Sequence, residues 1–152
     1  MERTLAFIKP DGVHRRAVGR IVQRFEEKGL KLIGLKLVHL SEELVKSHYA
    51  EHEGKPFFES LVEFVRAGPV VLIALEGPEA ISVVRKLVGA TSGLEAEPGT
   101  IRGDFSVSKS FNLIHASDGP DSAAAELSRF FADGELVDWT PTDWDWLGVA
   151  EK

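Results

Sequence analysis

The chain has 152 residues, 43% of them hydrophobic and 28% charged, with a formal net charge of −6; this is a globular balance, able to bury roughly two-thirds of the unfolded surface, and it excludes disordered and fibrous classes. The acidic excess argues against broad binding to nucleic acid or anionic membranes, while leaving room for a local cationic pocket. The lack of cysteine excludes disulfides, thiolate nucleophiles and thiolate metal sites and suits a reducing cytoplasm, no apolar run approaches the ~20 residues of a membrane span, and the first residues are too charged for a signal peptide.

In chain order, residues 3–9 read as a first strand that ends in the turn Pro10-Asp11-Gly12. Val18, Ile21, Val22 and Phe25 follow the i, i+3, i+4, i+7 spacing of a one-sided helix, which Gly29 closes. Residues 31–40 form a second strand. Ser41, with Glu42 and Glu43 behind it, starts a short helix through His48 and Tyr49. Beyond Gly54-Lys55-Pro56, the residues Leu61, Val62, Phe64 and Val65 form the apolar side of a further helix stopped by Gly68-Pro69. Residues 70–75 are an unbroken apolar run of strand length, which predicts a strand covered on both faces or central in its sheet.

Gly77-Pro78 turns the chain and places Pro78 near the first position of the next helix. The buried stripe of that helix is Ala80, Ile81, Val84, Leu87 and Val88, and Gly89 ends it. Residues 90–110 show little periodicity, and a loop of that length in a compact fold is often functional. Residues 111–115 are a short last strand. Pro120 and Asp121 then open a helix whose Leu127, Phe130 and Phe131 face inward. With no repeat and no linker, a single domain over residues 1–152 is expected, with a Trp-rich tail at 137–152. The β-α-β-β-α-β skeleton predicts a ferredoxin-like α/β sandwich, a four-stranded antiparallel sheet covered by helices. A small doubly wound sheet is the alternative; too few strands and the lack of a Gly-rich first turn count against it.

The chain lacks a Gly-x-x-x-x-Gly-Lys-Ser/Thr loop, a Gly-x-Gly-x-x-Gly turn after a strand, and the protein-kinase set of loop, lysine and aspartate. Phosphate chemistry would therefore rest on side chains, and Lys9, Arg85, Arg102, Thr91 and Ser117 are candidates, since guanidinium groups bind phosphate oxygens in pairs. Taken singly, each Arg or Lys is more often a solvated surface charge, and Arg85 could merely edge its helix beside Val84. His115 supplies a nucleophile, because a neutral imidazole can accept a phosphoryl group and pass it on. Asn112 precedes it, and Ser117 and Asp118 follow. His48 and His52 stand four apart, a spacing zinc can use, but no third ligand is evident. Arg102-Gly103-Asp104 matches an adhesion tripeptide only by coincidence in so acidic a chain.

From Thr4 to about Leu136 the chain resembles the nucleoside diphosphate kinase family. The likeness rests on Phe7-Ile-Lys9-Pro-Asp-Gly-Val, His48-Tyr49-Ala-Glu-His52, Lys55-Pro-Phe57-Phe58, Gly68-Pro69-Val and Val84-Arg85-Lys-Leu-Val-Gly89-Ala-Thr91. It continues through Pro98-Gly-Thr-Ile-Arg102-Gly-Asp-Phe, Asn112-Leu-Ile-His115-Ala-Ser117-Asp118 and Glu126. The resemblance implies a ping-pong kinase, with His115 phosphorylated by ATP and relieved by a nucleoside diphosphate. It implies that Glu126 hydrogen-bonds the other ring nitrogen, that Tyr49 and Ser117 border the histidine, and that Ser117 supports Glu126. Arg85, Thr91 and Arg102 would hold phosphates, Lys9 would sit near the γ-phosphate and the sugar, and Asn112 and Lys9 would reach ribose hydroxyls. Phe57 would stack on any base while Phe58 joins the core. Mg²⁺ would bridge substrate phosphates mainly through water, with Asp118 the nearest carboxylate. The resemblance also implies a cytoplasmic homo-oligomer, a hexamer in preference to a tetramer.

Two positions depart from the family pattern. Ala116 replaces a common glycine, a tolerable methyl group. Gly93 stands where proline is common, which should loosen the loop carrying Thr91 and weaken subunit contacts made through it. The tail lies outside the strong match and holds Trp139, Trp144 and Trp146; it is expected to pack against a neighbouring subunit or wrap its own. Two rivals remain: a non-catalytic nucleotide-binding regulatory domain, opposed by the complete nucleophile set, and a nucleic-acid or interaction module, opposed by the acidic charge.

Overall fold

The computed structural model describes residues 1–149, so the last three residues of the Trp-rich tail lie outside the described residues. Its elements are β1 (Glu2–Ile8), α1 (Pro10–His14), α2 (Val18–Glu27), β2 (Lys31–Val38), α3 (Glu42–His48), a 3₁₀ turn (Ala50–His52), α4 (Phe58–Arg66), β3 (Val70–Gly77), α5 (Ala80–Val88), α6 (Ile101–Phe105), β4 (Ile114–Ala116) and α7 (Pro120–Phe130). The four strands lie in the order β2-β3-β1-β4 and every neighbouring pair is antiparallel. This is the expected ferredoxin-like arrangement.

β3 is buried along its whole length, which explains its continuous apolar run: both faces of the sheet are covered. Alternation along β1 sends Ala6 and Ile8 to one face, where they meet Ile21 and Phe25 of α2 and Val84 and Val88 of α5. Leu5 and Phe7 point to the other face, against Val45 of α3, Val62 and Val65 of α4 and Phe130 of α7. Each fully buried side chain of this size contributes about 1.5–3 kcal/mol. Ser41 caps α3 by accepting from the Leu44 N–H at 3.2 Å, and Gly29 follows α2 at φ +97°, a conformation that glycine adopts without strain.

Several local expectations change. Pro10-Asp11-Gly12 begins α1 and is no simple turn, because proline at the first helical position has no N–H to lose. Pro78 stays outside α5; Glu79 at φ +49° is its N-cap. The 90–110 stretch contains α6, whose N-cap Thr100 accepts from the Gly103 N–H at 3.0 Å. The last strand begins at Ile114, not at residue 111, because Leu113 sits at φ +70° and breaks the extended run.

The tail wraps its own chain along the edge strand β2. The Val137 N–H donates to the Ile33 carbonyl at 2.7 Å, Trp139 Nε1 to Leu32 at 2.8 Å and Trp144 Nε1 to Gly29 at 3.1 Å. Buried Lys31 binds Glu76 at 2.5 Å, donates to the Trp139 carbonyl at 2.6 Å and lies 5.1 Å from the Trp144 ring centroid. Trp144 is partly buried, Trp139 is half-exposed and Trp146 is 91% exposed.

Candidate active site

β4 sets His115 opposite Phe7 of β1. The two rings stack at 4.9 Å and the histidine side chain is 25% exposed, held on one face and open on another. α7 packs against β1 and turns Glu126 inward, leaving it 4% exposed. His115 Nε2 hydrogen-bonds Glu126 Oε1. A carboxylate only accepts, so in the neutral ring Nε2 carries the hydrogen and Nδ1 keeps the lone pair. Burial pushes the Glu126 carboxyl up, but the hydrogen bond and charge of His115, with further help from Ser117 and His48, hold it below the usual value.

Ser117 is buried, and its hydroxyl proton goes to the Leu5 carbonyl at 3.2 Å. Glu126 Oε2 has no hydrogen-bond partner among the described residues. The expected support of Glu126 by Ser117 is therefore one of proximity, the single hydroxyl proton being spent on the backbone. Tyr49, the C-cap of α3, lies edge-on to His48 at 4.5 Å; burial, then the Glu126 charge, pushes its phenol up.

The cations converge on the backbone around His115. Lys9 Nζ donates to Asn112 Oδ1 at 2.7 Å. Burial, and then the Arg102 charge, push Lys9 down to about 8, with Asp11 opposing. Arg102 is buried and donates to the carbonyls of Asn112 (3.2 Å), Gly89 (3.2 Å) and Ile114 (2.6 Å); burial and then Arg85 push it down to about 10. Arg85 donates to the Ala116 carbonyl at 3.3 Å. Asn112 ties the group together, since its amide also donates to the Thr91 carbonyl at 2.9 Å. Arg102 thus spends part of its fork on the fold, a structural duty added to the expected phosphate contact.

Gly93 is a point of close approach in this loop. Its N–H donates to the Ser108 carbonyl at 2.9 Å, and an added Cβ would stand 2.3 Å from the Ser106 carbonyl oxygen. Proline would lose that bond and meet that oxygen, so glycine is what lets the two segments approach.

Phe58 is buried and Phe57 is 47% exposed, with the His52 ring 5.3 Å away. That division matches the sequence reading. Asp118 is exposed, and a hydrogen bond from Ser122 holds its carboxyl below the usual range. An exposed hard carboxylate near His115 fits the water-rich coordination of a magnesium ion better than a protein-built cage.

His48 and Arg129 belong to this site without having been singled out for it. Both line, with His115, Tyr49, Asp118 and Glu126, a cavity of about 410 Å³. Arg129 donates to His48 Nδ1 at 3.2 Å, and burial, then His115, push His48 down to about 3. The spacing of Glu126 and Arg129, three apart on one helix, was the available signal. Lys9, Arg85, Thr91, Arg102, Asn112 and Phe57 do not line this cavity; they reach His115 from its flanking backbone or stand apart. Asp11 was also missed: its Oδ2 accepts from the Leu113 N–H at 3.1 Å and pins the left-handed turn ahead of the histidine.

The family model described as "Nucleoside diphosphate kinase" matches residues 2–136. A nucleoside diphosphate kinase of Picosynechococcus is 56% identical over 147 residues, 97% of this chain and 99% of that protein. One from Archaeoglobus fulgidus is 52% identical over 97% of each chain. Among solved structures, a nucleoside diphosphate kinase family protein from Babesia bovis superposes with a TM-score of 0.94 at 49% identity, covering 97% of this chain and 99% of its own. A halophilic nucleoside diphosphate kinase from Halobacterium salinarum, in complex with CDP, gives 0.93 at 49% identity over 96% and 97%.

Proposed function

The chain belongs to the nucleoside diphosphate kinase family, and on that premise we propose that His115 is the residue that carries the phosphoryl group. The activity is transfer of the γ-phosphoryl group of a nucleoside triphosphate to a nucleoside diphosphate. The lone pair on Nδ1 attacks the γ-phosphorus, the bond to the bridging oxygen breaks, and the nucleoside diphosphate leaves with that electron pair. A second diphosphate then attacks the phosphohistidine, and Nδ1 recovers its lone pair. The observation that carries this reading is the Nε2–Glu126 hydrogen bond, which leaves Nδ1 as the nucleophile and sets a carboxylate against the ring as it gains positive charge.

Lys9, Arg85 and Arg102 neutralise phosphate charge, Thr91 adds a hydroxyl, and Asn112 with Lys9 meets the sugar. Such chemistry asks mostly for positioning and electrostatics. Exposed Phe57 offers a π-face to any base, so base preference is weak. A divalent cation, which we take as Mg²⁺, would supply charge neutralisation for the substrate phosphates, with Asp118 as the protein carboxylate that would help hold it. Exposed Leu35 and Leu37 on the edge strand β2 support assembly into a homo-oligomer, a hexamer before a tetramer, which native mass would decide. No helix among the described residues is long and apolar enough to cross a membrane; a cytoplasmic location, favoured by the cysteine-free composition, is checked by cell fractionation.

Incubation with γ-labelled ATP and Mg²⁺ should give a phosphoenzyme stable to base and labile to acid. His115→Ala should abolish it; label retained in that variant would overturn the assignment.

A further inference from the structure

Glu126 Oε1 is a meeting point for two imidazoles. His115 Nε2 contacts it directly, and His48 Nδ1 stands 3.7 Å away. One potential ligand atom from each of His48, His115 and Glu126 falls within 4.8 Å of the others, and this is the trio of that kind among the described residues. Glu126 is buried, and its Oε2 has no hydrogen-bond partner among the described residues. The carboxylate therefore keeps acceptor capacity that the hydrogen bond to His115 does not use. The three side chains share the wall of the 410 Å³ cavity, which gives an ion a route to them without passing Lys9, Arg85 or Arg102.

We propose that His48, His115 and Glu126 form a site for a divalent transition metal of the zinc class, separate from the cation carried by the nucleotide, whose occupation switches the kinase off. Two imidazoles and one carboxylate with a fourth position left to water are a common zinc donor set. Magnesium prefers an octahedron of oxygens and gains little from nitrogen ligands. Tetrahedral coordination needs neighbouring donors roughly 3.3 Å apart, from metal–ligand distances near 2.0 Å. The His48–Glu126 separation of 3.7 Å is close to that value, and the His115–Glu126 pair opens to admit the ion. When the metal takes the lone pair on His115 Nε2, the displaced proton passes through solvent to Nδ1. The nitrogen that attacks phosphorus then has no lone pair. This consequence rests on the assignment of His115 as nucleophile; the metal site itself does not.

Arg129 guards the site. Its guanidinium donates to His48 Nδ1 at 3.2 Å, so it occupies the lone pair a metal would need and adds a positive charge beside it. Metal binding must displace it, which makes Arg129 a selectivity element that keeps the nucleophile available at low metal.

The test uses the full-length protein stripped of metal and titrated with Zn²⁺ alone, followed by calorimetry and by ring-nitrogen shifts of the histidines. One Zn²⁺ per chain should bind and shift the His48 and His115 signals, and millimolar Mg²⁺ should not compete. His48→Asn should weaken binding by about a hundredfold or more, as only two protein ligands remain. Arg129→Gln should tighten it by about tenfold, a change in the direction that general damage would not produce. Unchanged Zn²⁺ affinity in both variants, or displacement by Mg²⁺, would overturn the proposal. Phosphoenzyme formation, measured with free Zn²⁺ held by a metal buffer, should fall in step with occupancy. Full labelling of a Zn²⁺-saturated protein would overturn the switch while leaving the metal site standing; loss of label in His115→Ala, measured without Zn²⁺, tests the nucleophile separately.

Discussion

Replacing Glu126 by glutamine isolates what its charge does. The amide is nearly isosteric and can still accept through Oε1, so the geometry around His115 is kept while the negative charge is lost. Phosphorylation at Nδ1 leaves the ring with a hydrogen on Nε2 and a net positive charge, and the buried carboxylate faces that charge directly. A hydrogen bond to a charged partner contributes about 1.5–3 kcal/mol, and each 1.4 kcal/mol is about tenfold in rate. Glu126→Gln should therefore slow the phosphorylation half-reaction by roughly ten- to a hundredfold, read by stopped-flow fluorescence under single-turnover conditions. The folded state should lose little, because the change also removes a buried charge with an unpartnered oxygen. A half-reaction within twofold of the parent would refute the reasoning, as would a loss of thermal stability large enough to explain the slower rate. The charge has its own pH window. A depressed folded value keeps the carboxylate and its contribution to stability intact above the ordinary glutamate range, to be lost only as pH falls through the lowered value.

Lys9, pushed down to about 8, should lose its charge as pH rises through that value, so kcat/KM should decline on the alkaline side with a midpoint near 8; Lys9→Arg should move that limb upward, and a limb unmoved in the variant would contradict the assignment. The same depression means that charged Lys9 costs stability below pH 8 and that this cost is relieved between 8 and its ordinary 10.5, so denaturant midpoints of Lys9→Met should converge with the parent as pH rises through that interval. Arg102→Lys should cost about 3 kcal/mol in urea unfolding, because an ammonium cannot serve the three carbonyls that the fork now reaches; an unchanged midpoint would mean that those bonds are not held in solution. Ending the chain after Leu136 removes the bonds from Val137 and Trp139 to β2, the bond from Trp144 to Gly29 and the carbonyl that receives Lys31, and should lower stability by about 2–4 kcal/mol at roughly 1 kcal/mol each. The same variant, weighed by native mass, shows whether the tail also joins subunits.

Periodic elements were readable from the sequence because their burial repeats with the backbone. The α2 stripe, the two-sided burial of β3, the Ser41 cap and the Gly29 stop each follow from local geometry. The division between Phe57 and Phe58 is the expected one, and the fold brings the cations that the resemblance named to the residues flanking His115. Misread elements were those whose conformation is fixed by distant partners. α6 is a single capped turn clamped from α2, where Arg24 binds the Gly99 carbonyl at 2.8 Å and the Asp104 carboxylate at 2.6 Å. Leu113 holds a left-handed turn only because Asp11, a hundred positions earlier, accepts its N–H.

Gly93 looked like a weakness and is a close approach, which no local pattern announces. The tail could be assigned to a surface but not to which one, and the hydrogen bonds to Leu32 of β2 and to Gly29 just before it decided that. His48 and Arg129 entered the site because α3 and α7 meet over β1. By itself the chain determined which residues could do the chemistry and which strands and helices carry them, since both are properties of side-chain type and spacing. Tertiary packing alone decided which ring nitrogen faces the carboxylate, which cations double as struts, and which histidines stand together, because those depend on separations between residues far apart in the chain.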